Sequence, residues 1–182
     1  MIYSKKFPSA AITSFRQLLN LAQAFWTSTG DNRLNVMPPH FFEKGLKINS
    51  DVYLDVMEKV VVPWCKEVAG NRPWMWQQDS APAHMSKRTQ AWLKDRDSNG
   101  VYSFVPHTHW PPSSPDCNPL DYFVWSYIET FTNRKAHNTK DSLVAEIKRQ
   151  FSLLSPALVQ KACARFRSRL ELVIAAEGNF FE

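Results

Sequence analysis

At 182 residues, with 44% hydrophobic and 13% aromatic side chains, the chain is long enough to bury one substantial core and short for two, so a single globular domain is expected. Its 22 Lys and Arg exceed its 17 Asp and Glu to give a net charge of +5, which suits an anionic partner such as nucleic acid. Cys65, Cys117 and Cys163 stand too far apart to suggest a zinc site or a disulfide framework, no apolar run is long enough to span a bilayer, and MIYSKKFPSA lacks the apolar stretch of a signal sequence; the pattern is that of a soluble intracellular protein.

Residues 1–36 form a poorly defined N-terminal segment. Ile12, Phe15, Leu18, Leu19 and Ala22 recur at helical spacing, and the turn-like TSTGDNRLN follows them. From Met37 a hairpin is expected, with MPPHFF as one strand, Glu43-Lys44-Gly45 as the turn and Leu46-Lys47-Ile48 as the return. Asn49 or Ser50 can cap a helix carrying Val52, Tyr53, Val56, Met57 and Val60, which should end near Pro63 or Gly70.

The apolar run Trp74-Met75-Trp76 leads through Gln77 and Gln78 to Asp79, placing that carboxylate at the C-terminal end of a predicted strand. MSKRTQAWLKDRD then predicts an amphipathic helix, with Trp92 and Leu93 inward, Lys87, Arg88, Lys94 and Arg96 toward solvent, and Asn99-Gly100 as its close. Val101 to Val105 is rich in strand formers, and four prolines stiffen the loop HTHWPPSSPDCNP. A helix should begin directly after that loop: Asn118 is a good N-cap, Pro119 fits the first helical position, and Asp121 falls in the first turn. Asn138 or Thr139 can cap a helix bearing Leu143, Ile147 and Phe151. Ser155-Pro156 opens another, read as one helix with the stripe Val159, Cys163, Phe166, Leu170 and Ile174, stopped by Gly178. Strands early and in the middle with helices late predict an α/β domain, a mixed sheet flanked by helices.

Asp79 and Asp121, with 41 residues between them, carry the chemical expectation. The ends of strands and the beginnings of helices border the crevice in which α/β sheets bind ligands. Two carboxylates meeting there can hold divalent cations such as Mg²⁺ or Mn²⁺, which take oxygen ligands and complete their shells with water or phosphate. Two such ions, about 3.5–4 Å apart, serve phosphodiester hydrolysis or strand transfer by activating a nucleophile and stabilising the leaving oxygen. Each aspartate also has an ordinary structural role open to it, as a first-turn helix residue or a turn residue. Asp116 reads as a turn residue, and Glu129, two helical turns beyond Asp121, as a supporting ligand or a surface carboxylate. His84, five residues after Asp79, can orient a ligand or serve structure, with His107 and His109 weaker candidates.

The segments QQDSAPAH at 77–84 and WPPSSPDCNPLDYFVW at 110–125 resemble the two most characteristic motifs of mariner-like transposases, and AEGNFFE at 176–182 resembles the usual ending of that family. The family pattern is D-N/S-A-P-x-H around the second catalytic aspartate and S-P-D-x-N/A-P-x-D/E around the third acidic residue. The resemblance runs from about Met37 to Glu182, and it implies an RNase H-like DDE/D catalytic domain over 37–182. In it Asp79 and Asp121 would be catalytic metal ligands for Mg²⁺ or Mn²⁺ and Asp116 would be non-catalytic. It also implies a nuclear protein acting on DNA, at transposon ends, as a dimer. The family's first catalytic aspartate has no counterpart: Asp31 is the only acidic residue before Glu43 and falls where the family has a turn. The chain therefore resembles an N-terminally truncated copy without the helix-turn-helix modules of such proteins, with impaired strand cutting expected. The second reading is a nucleic-acid-binding module without catalysis, using Lys87, Arg88, Lys94 and Arg96 on one helix and Lys161, Arg165, Arg167 and Arg169 on another as phosphate contacts, or else as solvated helix faces. Trp110 and Trp125 can stack on bases or fill the core. A phosphorylated metabolite as substrate is disfavoured, because no Gly-rich phosphate loop accompanies the pair.

Overall fold

The computed structural model describes residues 37–43, 45–70, 72, 74–98, 103–110 and 114–178. The expected helix at Ile12 to Ala22, Asp31 and the Asn99-Gly100 close lie outside the described residues. At 37–48 the turn forms, with the Leu46 N–H donating to the Glu43 carbonyl at 3.3 Å and Gly45 at φ +83°. The flanking segments do not pair as strands, which corrects the expected hairpin. Pro38 and Pro39 remove two ladder donors. Met37 and Phe42 instead anchor the segment by burial.

Asn49 caps helix α1, Ser50–Val56, its side-chain oxygen accepting from the N–H groups of Asp51 and Val52, both at 3.0 Å. The chain stays helical past Pro63 by opening into a π-helical turn, Met57–Val61, before α2, Val62–Ala69. Proline has no N–H to donate and its ring crowds the carbonyl four residues back, here that of Lys59; the wider turn just before it relieves both problems. The helix ends at Gly70 with φ +57°, and the Arg72 guanidinium caps it by donating to the carbonyls of Val68 and Ala69 at 2.6 and 3.0 Å.

Strand β1, Met75–Trp76, pairs in parallel with β2, Ser103–Phe104. Side chains alternate across a strand, so Trp74 and Trp76 enter the core while Met75 faces outward. The crossover between the strands holds the short helix α3, Pro82–Met85, and α4, Lys87–Ser98. Leu93 of α4 is fully buried, and Trp92 is half-buried beneath Arg96, whose guanidinium lies 3.6 Å from the ring centroid. Arg96 also bonds Glu58 at 2.8 Å, so it packs along the helix rather than pointing to solvent as its spacing suggested.

After the 3₁₀ turns His107–His109 and Pro115–Cys117, Asn118 caps a π-helical turn, Leu120–Trp125, that continues as α5, Ser126–Thr132. Thr139 caps α6, Lys140–Leu153, by accepting from the Ser142 N–H at 3.1 Å. The long last helix expected from Val159 to Ile174 is two helices, α7, Pro156–Ala164, and α8, Phe166–Ala175, hinged at Arg165. Val159 and Cys163 enter the core, whereas Ile174, in phase with them on a straight helix, is 76% exposed. The bend lets α8 leave the core and lie across the Pro115–Cys117 turn. One continuous hydrophobic cluster joins α1, α2, β1, α4, α5, α6 and α7, with Tyr53, Met57, Trp76, Leu93, Ile128, Ile147 and Cys163 among its members. It fixes the elements from which the site projects.

Candidate active site

One wall of the site is the extended stretch that follows β1. Asp79 lies three residues past the strand, where its Oδ1 accepts from the Ala81 N–H at 3.0 Å and from His84 Nδ1 at 2.6 Å. The Asx turn to Ala81 delivers the chain into α3, with Pro82 at its start, and α3 brings His84 back onto the carboxylate. His84 is 3% exposed, and its ring packs on Tyr53 of α1 with centroids 4.7 Å apart. The Tyr53 hydroxyl accepts from Gln78 Nε2, so the residue before Asp79 is tied to the helix that backs His84.

Behind α3, Ser86 caps α4 by accepting from the Thr89 N–H at 3.1 Å. Thr89 Oγ1 donates to the Ala83 carbonyl at 2.7 Å, and Gln90 Nε2 to the His84 carbonyl at 2.9 Å. Burial of Asp79 disfavours its charge, but the His84 hydrogen bond and charge, with the Ala81 N–H, outweigh it and hold the carboxyl below its ordinary value. Asp79 is thus an anion at neutral pH with one oxygen committed to two donors.

The opposite wall is the proline-rich loop and the start of the helix after it. Asn118 Oδ1 accepts from the Leu120 N–H at 3.0 Å, and its carbonyl accepts from the Asp121 and Tyr122 N–H groups at 2.9 and 3.0 Å. That cap sets the first turn, in which Leu120, Val124 and Trp125 are buried and Asp121 is half-buried at the cleft. Trp110 and Trp125 are both in the interior, against Phe166 and Phe151 respectively, so neither is free to stack on a base.

Between the walls lies an open cleft of about 250 Å³ lined by Asp79, Ser80 and Ala81 on one side and Trp110, Ser114, Pro115, Asn118 and Asp121 on the other. Asp79 and Asp121, far apart in sequence, share it, and His84 stands behind Asp79. Glu129 is outside the lining; its Oε1 is buried without a hydrogen-bond partner among the described residues. His107 and His109 also lie outside it.

No group of three or more His, Cys, Asp or Glu among the described residues is placed to hold a metal together. Two carboxylates do fit Mg²⁺ or Mn²⁺, because such ions are commonly held by one or two carboxylates and fill their shells with water and phosphate oxygens. The three thiols are buried; burial pushes Cys65 up to about 12 and Cys163 to about 11, leaving them unreactive as ligands or nucleophiles.

Of the basic residues, Lys87, Lys94, Lys161 and Arg165 are exposed. Arg88 pairs with Asp51 at 2.5 Å and Arg167 with Glu171 at 3.2 Å, both on the surface. Arg96 and Arg169 are engaged inside the chain. The spacing of motifs pointed to Asp79, Asp121 and Asn118 but not to Tyr53, Gln78 or the Ser86, Thr89 and Gln90 bonds. A serine before a helical run was a legible cap signal for Ser86; the Tyr53 contact crosses 25 residues and leaves no local trace.

No family model matches the chain. It is similar to the Tcb1 transposase of Caenorhabditis briggsae, 28% identical over 127 residues that make up 70% of this chain and 43% of that protein. It is also similar to the Tc1 transposase of Caenorhabditis elegans, 25% identical over 69% of this chain and 43% of that one. The chain thus spans less than half the length of these relatives. Among solved structures it matches the catalytic domain of Mos1 mariner transposase, with a TM-score of 0.61 at 16% identity over 81% of this chain and 71% of that one. It also matches that domain with Raltegravir and Mg, with a TM-score of 0.63 at 17% identity, covering 81% and 72%. The Mos1 strand transfer complex matches with a TM-score of 0.65 at 18% identity, covering 84% of this chain and 42% of that chain. The fold is therefore that of the RNase H-like Mos1 catalytic domain.

Proposed function

We propose, from its similarity to the Tc1/mariner transposases, that the chain is a metal-dependent domain acting on phosphodiester bonds of DNA, with Asp79 and Asp121 as metal-holding carboxylates. The observation that carries this reading is their meeting in one cleft from two separate motif segments. Mg²⁺ or Mn²⁺ bound there would supply charge neutralisation at the phosphate and a more acidic bound water or hydroxyl. The chain's own residues prepare the site. His84 and the Ala81 N–H fix one oxygen of Asp79 and keep it ionised, and the Asn118 cap aims the first helical turn that carries Asp121. Catalytic groups held in this way need no reorganisation when substrate arrives.

Among the described residues the cleft offers two carboxylates, so we expect weak cleavage by this chain alone. The substrate class is duplex DNA at transposon ends, which implies work in the nucleus. Mos1 neighbours include paired-end complexes with Mn and with Mg, which supports transposon-end DNA as the partner here, and a second copy of the chain is the partner proposed for the second end. A second reading, a DNA-binding module without catalysis, is favoured by the exposed side chains of Lys87, Lys94, Lys161 and Arg165.

The test is cleavage of an end-labelled duplex with Mg²⁺ or Mn²⁺ by the parent chain and by Asp79→Asn and Asp121→Asn, alongside binding titrations over a range of salt. Weak metal-dependent cleavage lost in both variants supports the nuclease. Salt-sensitive binding with no cleavage by the folded parent supports the binding module.

A further inference from the structure

We propose that Arg169, on the last helix, is a positioning residue for Asp121: it clamps the proline-rich wall of the cleft from behind and is not a phosphate contact. Its Nε donates to the Asp116 carbonyl, inside the Pro115–Cys117 turn, and its guanidinium carbon lies 4.3 Å from the centroid of the Tyr122 ring, next to Asp121. One cation therefore joins the segment just before the Asn118 cap to the residue just after the carboxylate. Two neighbours reinforce it. Phe166, one helical turn earlier, stacks on Trp110 of the cleft lining with centroids 6.3 Å apart and planes at 17°, and the Tyr122 hydroxyl donates to the Ala162 carbonyl of α7 at 2.7 Å.

The geometry explains the bend at Arg165. Helix α8 has no buried residue, so it does not lie where it does to fill the core. Its inward contacts go to the wall, at Trp110, Asp116 and Tyr122. Within the Pro115–Cys117 turn the Cys117 N–H donates to the Ser114 carbonyl at 3.2 Å and the Asn118 N–H to the Pro115 carbonyl at 3.1 Å, and Arg169 adds a tie to the same turn from a separate helix. A guanidinium suits the task, since it donates in its plane while stacking its face on an aromatic ring, and a lysine ammonium cannot do both. Cys117 lies in the clamped turn, wholly buried; burial, with the charge of Asp116, pushes its thiol up, and the charge of Arg169 acts the other way.

The proposal rests on the reading of Asp121 as a metal-holding carboxylate, and the experiment separates the two. In the full chain carrying Arg169→Lys or Arg169→Gln, alkylation of Cys117 and of Cys65 is followed by peptide mass spectrometry. Mn²⁺ binding is followed by the electron paramagnetic resonance signal of the free ion, and DNA binding as a function of salt. Cys65, a core residue on the buried face of α2, reports global opening.

The clamp predicts that Cys117 becomes at least roughly tenfold more reactive in both variants while Cys65 does not change, that Mn²⁺ affinity falls about tenfold, and that the salt slope stays as in the parent. Three results overturn it: Cys117 protected as in the parent; Cys65 loosened as much as Cys117, which makes Arg169 a general stabiliser; or a salt slope reduced by about one in Arg169→Gln and restored in Arg169→Lys, which makes it a phosphate contact. Unchanged Mn²⁺ affinity despite a loosened Cys117 also overturns it, because the wall would then move without consequence for the site. A parent that binds no Mn²⁺ defeats the metal reading, and the Cys117 rate alone then decides the clamp.

Discussion

The two walls of the cleft are held by different means. The Asp79 wall is cross-linked locally: within 77–90 the carboxylate, His84, Ser86, Thr89 and Gln90 bond one another, and the tie to Tyr53 roots them in α1. The Asp121 wall has the Asn118 cap and the bonds of the Pro115–Cys117 turn as local devices, and it is tied as well to α7 and α8 some 40 to 53 residues further along the chain. The first wall should stay ordered as long as the core does. The second can loosen while the core stays folded, since α8 contributes no buried residue. A metal shared across the cleft would thus join a rigid half to a more adjustable one, and the adjustable half decides whether the pair is in register.

That contrast can be broken from either side. The largest expected effect is at the root of the rigid wall. Leu93→Ala empties a fully buried site on the core face of α4 and should cost about 2–5 kcal/mol, read as a lower urea midpoint at unchanged slope. Next comes His84→Leu, which leaves the largely buried Asp79 anion with the Ala81 N–H alone and should cost about 1–3 kcal/mol near neutral pH.

The same residue gives a pH signature. The Asp79 carboxyl is depressed in the folded state, so its contribution is fully present above the ordinary value of 3.8 and is lost as pH falls through the lower folded value. Melting temperatures of the parent and Asp79→Asn should therefore draw together as pH drops below 3.8, and a constant gap would contradict the account. On the adjustable wall, Asn118→Ala removes the cap and should cost about 1 kcal/mol by thermal melting, with a larger proportional loss of Mn²⁺ affinity than of stability. The smallest effect is at Arg88→Ala, whose pair with Asp51 is solvent-exposed on both sides and should be worth under about 0.5 kcal/mol.

The walls also differ in how far the sequence revealed them. Asn49, Asn118, Thr139 and Gly178 were legible as helix boundaries because capping chemistry is local: a short polar side chain or a glycine acts on backbone groups within a few residues of itself. Asp79 and Asp121 were legible as a pair because motif and element boundary coincided at each.

Three features were hidden. The strands expected around Glu43 to Gly45 failed because period-2 patterning says nothing of whether a partner strand is within reach, and two prolines withheld donors. The break at Arg165 was invisible because Val159, Cys163, Phe166, Leu170 and Ile174 satisfy one helical period whether or not the helix is straight. Arg96 and Arg169 looked like surface cations because charge patterning does not register a guanidinium lying on Trp92 or Tyr122. All three depend on contacts distant in sequence.

The central claim is that Asp79 and Asp121 jointly hold a divalent ion in the cleft between them. Its most direct test is Mn²⁺ titration of the parent chain, Asp79→Asn and Asp121→Asn, with the folded state of each checked by circular dichroism. The account predicts that the parent binds Mn²⁺ and that each single substitution weakens binding by roughly tenfold or more. Binding that survives both substitutions, or is lost in one and untouched in the other, would contradict a shared site.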